Sequence, residues 1–341
     1  MTSIRAVRCH EICDDIGSVW LDTLDLAAPG PGEVQIRLKA CAVNFPDLLM
    51  IQGKYQFQPP LPFAPGGEAA GEISALGADV EGFEVGDRAV AGLRYGGFAE
   101  AVNVAADSVR PVPGTMSYAK AASYQTAYLT AYVALVKRGD LVPGEVLLVH
   151  GATGGVGMAA VDLGKRLGAT VIATGGSDVK LAVVKRRGAD HVINYTQADG
   201  SLGGFRDQVK ALTDGRGADV IYDPVGGDVF DESMRCINWG GRILTIGFTS
   251  GRWPQAPVNL ILIKQIAVIG VRAGEYGRRD PQRGREVSDA LYRMAAAGEI
   301  DPYVCAGFPL ERAVDAMRML EQRRVIGKVV VTMNGYEVEG V

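Results

Sequence analysis

Cysteine is scarce in this sequence and does not pair by spacing. Five occur in 341 residues: Cys9, Cys13, Cys41, Cys236 and Cys305. The odd count and the lack of any CxxC argue against a disulfide framework and for free thiols in a reducing compartment. Cys9 and Cys13 have no second Cys or His pair at ligand spacing, so they do not read as half a metal site. Long apolar runs are also missing. The longest candidate, Asn259 to Val271, is broken by Lys264 and Gln265 and falls short of the roughly 18 residues a membrane span needs. The segment from Met1 to Arg5 lacks an apolar signal core. These absences predict a cytoplasmic protein with no membrane partner. An excess of positive charge is lacking too: 35 basic against 39 acidic residues give a net charge of −4. With no cluster of Lys and Arg among aromatics, nucleic acid is not an expected partner.

What is present divides the chain. A length of 341 residues exceeds the roughly 250 to 300 at which single cores stop growing, so two domains are expected. As far as about residue 122 the sequence reads as β-rich. Glu33 to Ala40 alternates apolar and polar residues, as a half-buried strand should. Gly and Pro recur at turns, and the one helix expected there is short, Asp47 to Gln52. Short strands with frequent turns suggest a barrel or sandwich. A helix follows from Ala119 to Lys137, and then strands and helices alternate. The strands are Val146–His150, Thr170–Thr174, His191–Tyr195, Asp219–Asp223 and Ile243–Ile246. The helices run Gly155–Leu167, Asp178–Arg187 and about Phe205–Leu212. That order predicts an α/β fold, a doubly wound parallel sheet with helices on both faces. Further on, a strand at Ala267–Val271, helices near 281–297 and 310–322, and a strand at Lys328–Met333 are expected. Periodicity leaves open whether they extend the sheet or return to the first domain.

The motif richest in chemistry runs from Val146 to Gly157, an apolar strand leading through a Gly-rich turn into a helix. Gly151 and Gly154 allow a sharp turn and close approach to a pyrophosphate, and Gly157 allows close packing of helix on sheet. The helix start, with Gly155 and Val156, offers N–H groups and a positive dipole end. An NAD site places Asp or Glu at the end of the second strand, but this one ends at Thr174, Gly175, Gly176 and Ser177. A carboxylate would repel a 2′-phosphate, whereas small residues and a nearby cation accommodate one. Lys180 is the candidate cation, and the missing acid favours NADPH. His150 reads as a packed residue, His191 as the start of a strand, and Asp223 offers itself as a base by position alone.

Taken with Val43-Asn-Phe-Pro-Asp47, Gly53-Lys-Tyr55, Pro65-Gly-Gly-Glu68, Val85 to Val90 and Leu129-Thr-Ala-Tyr132, the Gly motif resembles the zinc-free quinone oxidoreductase (zeta-crystallin-like) branch of the medium-chain dehydrogenase/reductase superfamily. The resemblance covers nearly the whole chain. It implies a GroES-like β-barrel catalytic domain at 1–122, completed by 266–341, and a Rossmann domain at 123–265, with the family's active site in the cleft between them. The zinc-dependent relatives carry Cys and His ligands where this chain has Asn44 and Gly67, and a four-Cys lobe that is absent here, so no metal is expected. By the same resemblance, Asn44 and Thr130 border the nicotinamide and its ribose. Lys180, Tyr195 and Arg323 hold the 2′-phosphate, with Arg324 able to stand in for Arg323. Gly175, Ser177, Gly247, Phe248 and Val271 line the cofactor's path, and the strand Ala267–Val271 pairs across a homodimer.

The reaction expected is hydride transfer from NADPH to a small-molecule quinone, for which the protein positions the acceptor and excludes water. The alternative is reduction of an activated alkene, an enoyl thioester or 2-alkenal. Met50 to Tyr55 resembles the segment that carries the catalytic tyrosine of enoyl-thioester reductases, so Tyr55 becomes the proton donor with Asn44 beside it. A remote third reading follows from the branch's lens structural and RNA-binding members, and the acidic chain offers no basic stripe for it.

Overall fold

A computed structural model describes residues 2–339. The chain forms two compact units, residues 1–126 with 294–341, and residues 127–293.

The first unit is built on a seven-stranded sheet. Its central strand, Glu33–Ala42, pairs with Glu68–Leu76, Ala101–Ala105 and the final strand Lys328–Thr332. These neighbours bury nearly all of it, so the two-period pattern in its sequence marks a strand enclosed in a barrel, not one with a wet face. The return of the chain's end is bonded in here. Val304–Pro309 runs parallel to Lys328–Thr332, which runs antiparallel to Glu33–Ala42. Val34, Ile36, Leu38, Ile51, Phe63, Phe98 and Val331 are among the core residues. The short helix Phe45–Ile51 starts with Pro46 in its first turn, where proline's missing N–H costs nothing.

The second unit is a six-stranded parallel sheet. Its strands are Val146–Val149, Thr170–Gly175, His191–Asn194, Ala218–Asp223, Ile237–Thr245 and Ala267–Gly270. Numbered along the chain, they lie in the order 3-2-1-4-5-6, that of a dinucleotide-binding Rossmann sheet.

Several elements depart from the sequence reading. Residues 266–293 belong to the second unit, because Ala267–Gly270 is hydrogen-bonded to Ile237–Thr245 as the sheet's last strand. The barrel unit therefore resumes at 294 and not at 266. Trp239 to Arg242 lies within the strand Ile237–Thr245, which begins earlier than the expected Ile243, and Gly240 (φ 72°) takes up an irregularity there. A helix at Gly227–Cys236 was not expected. Its buried Val229, Phe230, Ser233 and Met234 follow an i, i+1, i+4, i+5 spacing. Helices at Val258–Lys264 and Ala273–Arg279 and the strand Val304–Pro309 also went unread.

Candidate functional site

The Gly-rich turn lies where the sheet order reverses. Gly151 (φ 55°) sits in the left-handed region, and a Cβ there would lie 3.3 Å from Pro224 and Val225, which follow the neighbouring strand. At Gly157 a Cβ would come within 2.3 Å of the Gly151 carbonyl oxygen and 2.8 Å of the Ala152 Cα. Only glycine allows that approach of helix to turn. The helix Gly155–Arg166 has no side-chain cap at Gly154, so its first N–H groups are left for a ligand. These features fit a dinucleotide pyrophosphate.

Other expected contacts of the second unit gather at the C-terminal ends of the same strands, where open α/β sheets bind ligands. Gly175 ends the second strand and its carbonyl accepts the Tyr195 N–H at 3.1 Å. Ser177 is the N-cap of the helix Asp178–Arg186, which carries Lys180. Gly247 and Phe248 follow the fifth strand and Val271 the sixth. Thr130 lies on the helix Tyr118–Tyr132. Arg323 lies in the first unit, in the left-handed region (φ 55°) just after the helix Ala313–Glu321, and Arg324 is exposed beside it.

His150, Thr174 and Ser233 form a buried chain under these loops. Ser233 Oγ donates to the Val229 carbonyl at 2.7 Å, so it accepts from His150 Nε2 at 2.7 Å. His150 Nδ1 is then the acceptor of the Thr174 hydroxyl at 2.8 Å. Burial holds this imidazole neutral and lowers its pKa to about 3. The folded pKa is below the unfolded one, so the unfolded chain takes up the proton first as pH falls. Stability is therefore lost from about pH 6.5 down to about 3, at about 1.4 kcal/mol per unit. His150→Gln cannot take that proton. In denaturant titrations the stability gap between wild type and His150→Gln should narrow by about 2 kcal/mol between pH 7 and pH 5; a constant gap would refute the assignment.

Asp223 was offered as a base by position alone. Its Oδ1 accepts the Val225 and Gly226 N–H groups at 2.8 and 2.9 Å, while buried Oδ2 has no hydrogen-bond partner among the described residues. Burial raises its pKa to about 6. It holds the turn that touches Gly151.

The first unit contains a polar cluster that the sequence reading missed apart from Asn44. Lys328 and Glu68 have side chains only 6% and 1% exposed, and Lys328 Nζ donates to Glu68 Oε1 at 2.8 Å. The same ammonium donates to Asn44 Oδ1 at 2.7 Å, and Asn44 Nδ2 donates to Glu68 Oε1 at 3.0 Å. An ammonium only donates and a carboxylate only accepts, so this triangle fixes which way the Asn44 amide faces. Glu68 Oε2 accepts the Thr126 N–H at 2.8 Å. Asp47 accepts the Asn44 and Gly66 N–H groups at 2.7 and 2.9 Å, and burial raises its pKa to about 6. Tyr55 is half-buried against the barrel core. This donor set does not fit zinc. It has no thiolate or imidazole, the Glu68 carboxylate is already paired with an ammonium, and the Asp47 carboxylate is taken up by two backbone N–H groups.

Two family models match the chain: an alcohol dehydrogenase GroES-like domain at residues 30–114, and a zinc-binding dehydrogenase at residues 155–291. A quinone oxidoreductase-like protein 2 homolog of Nematostella vectensis is 38% identical over 333 residues, covering 96% of this chain and 89% of that one. Quinone oxidoreductase-like protein 2 of Mus musculus is 36% identical, covering 96% and 92%. The solved Escherichia coli quinone oxidoreductase complexed with NADPH is 30% identical, with a TM-score of 0.86 over 96% of this chain and 99% of that one. The chain belongs to the quinone oxidoreductase-like branch of the medium-chain dehydrogenase/reductase superfamily.

Proposed function

We propose that this oxidoreductase transfers hydride from NADPH to a quinone without a metal. The observation that carries the cofactor choice is the second strand's end. Gly175, Gly176 and Ser177 put no carboxylate there, and Lys180 and Tyr195 flank the same strand end. Gly151, Gly154, Gly155, Val156 and Gly157 receive the pyrophosphate. Thr130, Gly247, Phe248 and Val271 line the rest of the cofactor's path, Lys180 is the cation for the 2′-phosphate, and Arg323 is a further candidate for that role. NADPH supplies the hydride from C4 of its nicotinamide. The chain's part is to bind, to orient and to exclude water, and Asn44, held by Lys328 and Glu68, borders the ring. A quinone's reduced oxygens take protons from solvent, so no protein acid is required. Lys180→Glu should lower the preference for NADPH over NADH at least tenfold in kcat/KM; an unchanged preference would move the 2′-phosphate elsewhere.

A second reading is reduction of an activated alkene. Its support is Tyr55, whose hydroxyl makes no hydrogen bond among the described residues and is thus available as a proton donor. Rates with 1,4-benzoquinone and 2-hexenal, each for wild type and Tyr55→Phe, separate the two. The quinone reading predicts benzoquinone turnover within about twofold of wild type in Tyr55→Phe; efficient hexenal turnover that collapses on this change selects the alkene reading.

The proposed partner in solution is a second copy. The strand Ala267–Gly270 lies at the sheet's edge, and the adjacent helix exposes Val258, Leu262 and Ile263 at 75%, 78% and 68%. A bare apolar edge is an aggregation hazard unless covered. All five cysteines are free thiols, in keeping with a cytoplasmic location. No helix among the described residues is long and apolar enough to cross a membrane.

A further inference from the structure

The segment after the helix Phe45–Ile51 presents its side chains alternately. Lys54, Gln56 and Gln58 are exposed, whereas Tyr55 and Phe57 are half-buried against the barrel core. Tyr55 and Phe57 lie two residues apart in a turn and pack against the same core cluster, and the ring of Phe57 forms a shelf there. Tyr95 extends it, with ring centroids 6.1 Å from Phe57 and 6.3 Å from Phe63. Arg94 lies over this shelf, its guanidinium carbon 3.5 Å from the Phe57 ring centroid.

Arg94 differs from the arginines that the fold uses. Arg5 and Arg242 each donate to carboxylates. Arg94 is exposed and has no hydrogen bond or ion pair among the described residues, only its ring contact. A guanidinium stacked on a ring keeps its N–H groups in plane, directed past the ring edge. Such a fork matches the paired oxygens of a carboxylate or sulfonate. We infer that Arg94, held on the Phe57–Tyr95 shelf, is a specificity-determining residue that selects acceptors carrying an oxyanion. This rests on the reading that the acceptor binds beside Tyr55.

The test uses closely matched pairs in which one member carries the oxyanion and the other is neutral. Anthraquinone-2-sulfonate and anthraquinone-2-sulfonamide are titrated by calorimetry into the full-length protein with NADP⁺ present. Wild type should bind the sulfonate about fivefold more tightly, as one exposed charge pair permits. Arg94→Met keeps the stacked length and should remove that preference without weakening sulfonamide binding. Phe57→Leu leaves the charge but frees it, and should reduce the preference. Equal affinities in wild type, or a preference that survives Arg94→Met, would overturn the inference. In parallel, trans-4-oxo-2-pentenoate and its methyl ester are compared as acceptors, with the same preference in KM expected and its absence counting against the inference. The binding arm stands whether or not any acceptor is turned over, so failure of the reductase reading and failure of this one are distinguishable.

Discussion

Lys328→Met should cost about 3 to 5 kcal/mol of stability, because it leaves the Glu68 carboxylate buried without its cation. Two hydrogen bonds to Glu68 survive, from Asn44 Nδ2 and the Thr126 N–H, and they do not replace a full charge at an interior position. Lys328→Met with Glu68→Gln should recover most of the stability, since removing both charges leaves no uncompensated one. Activity should not recover with it, because Asn44 Oδ1 has then lost the donor that orients it. Denaturant unfolding of both variants reads the first effect, and steady-state kinetics of the double variant reads the second. A double variant no more stable than the single would contradict the pairing.

Gly157→Ala should abolish tight dinucleotide binding. The new Cβ would lie 2.3 Å from the Gly151 oxygen and 2.8 Å from the Ala152 Cα. Both are backbone atoms, so no side chain can swing aside. The helix must lift from the turn by a sizeable fraction of an ångström. Overpacking of this kind costs about 1 to 3 kcal/mol of stability, and a displacement of about 1 Å in a positioning element costs on the order of 100-fold in activity. Gly154→Ala is the matched comparison. Its Cβ would meet nothing closer than the Gly151 oxygen at 3.5 Å, so the fold should tolerate it. Any loss of NADPH affinity in Gly154→Ala then reports a cofactor lying against that face. Thermal unfolding and NADPH fluorescence titration of both variants separate the two effects, and Gly157→Ala binding like wild type would contradict the assigned pyrophosphate cradle.

The two halves of the candidate site were unequally legible in the sequence. The turn from Gly151 to Gly157 could be read because its chemistry is local: strand, glycines and helix start are contiguous. The missing acid after Thr174 was readable for the same reason. The Lys328–Glu68 pair was not, because its partners are 260 residues apart and a lysine opening an apolar strand looks like a solvated end. Only the pairing of Lys328–Thr332 with Glu33–Ala42 brings it inside. The helix Gly227–Cys236 was hidden by Gly226 and Gly227, since a pair of glycines has turn character although here it opens the helix. The strand Val304–Pro309 contains Cys305, Ala306 and Gly307, with little β-branched character to mark it. The return to the first unit was expected, but its start was set too early. An apolar run such as Ala267–Gly270 serves equally as the last strand of one sheet or the first of another.

The most direct test of metal-independent NADPH:quinone reduction is the rate of reduced-nicotinamide loss with 1,4-benzoquinone in the presence of a strong chelator, for NADPH and NADH side by side. Turnover that the chelator leaves unchanged, with kcat/KM for NADPH at least tenfold above that for NADH, is the predicted result. No benzoquinone-dependent oxidation of either nucleotide, or equal use of both, would contradict it.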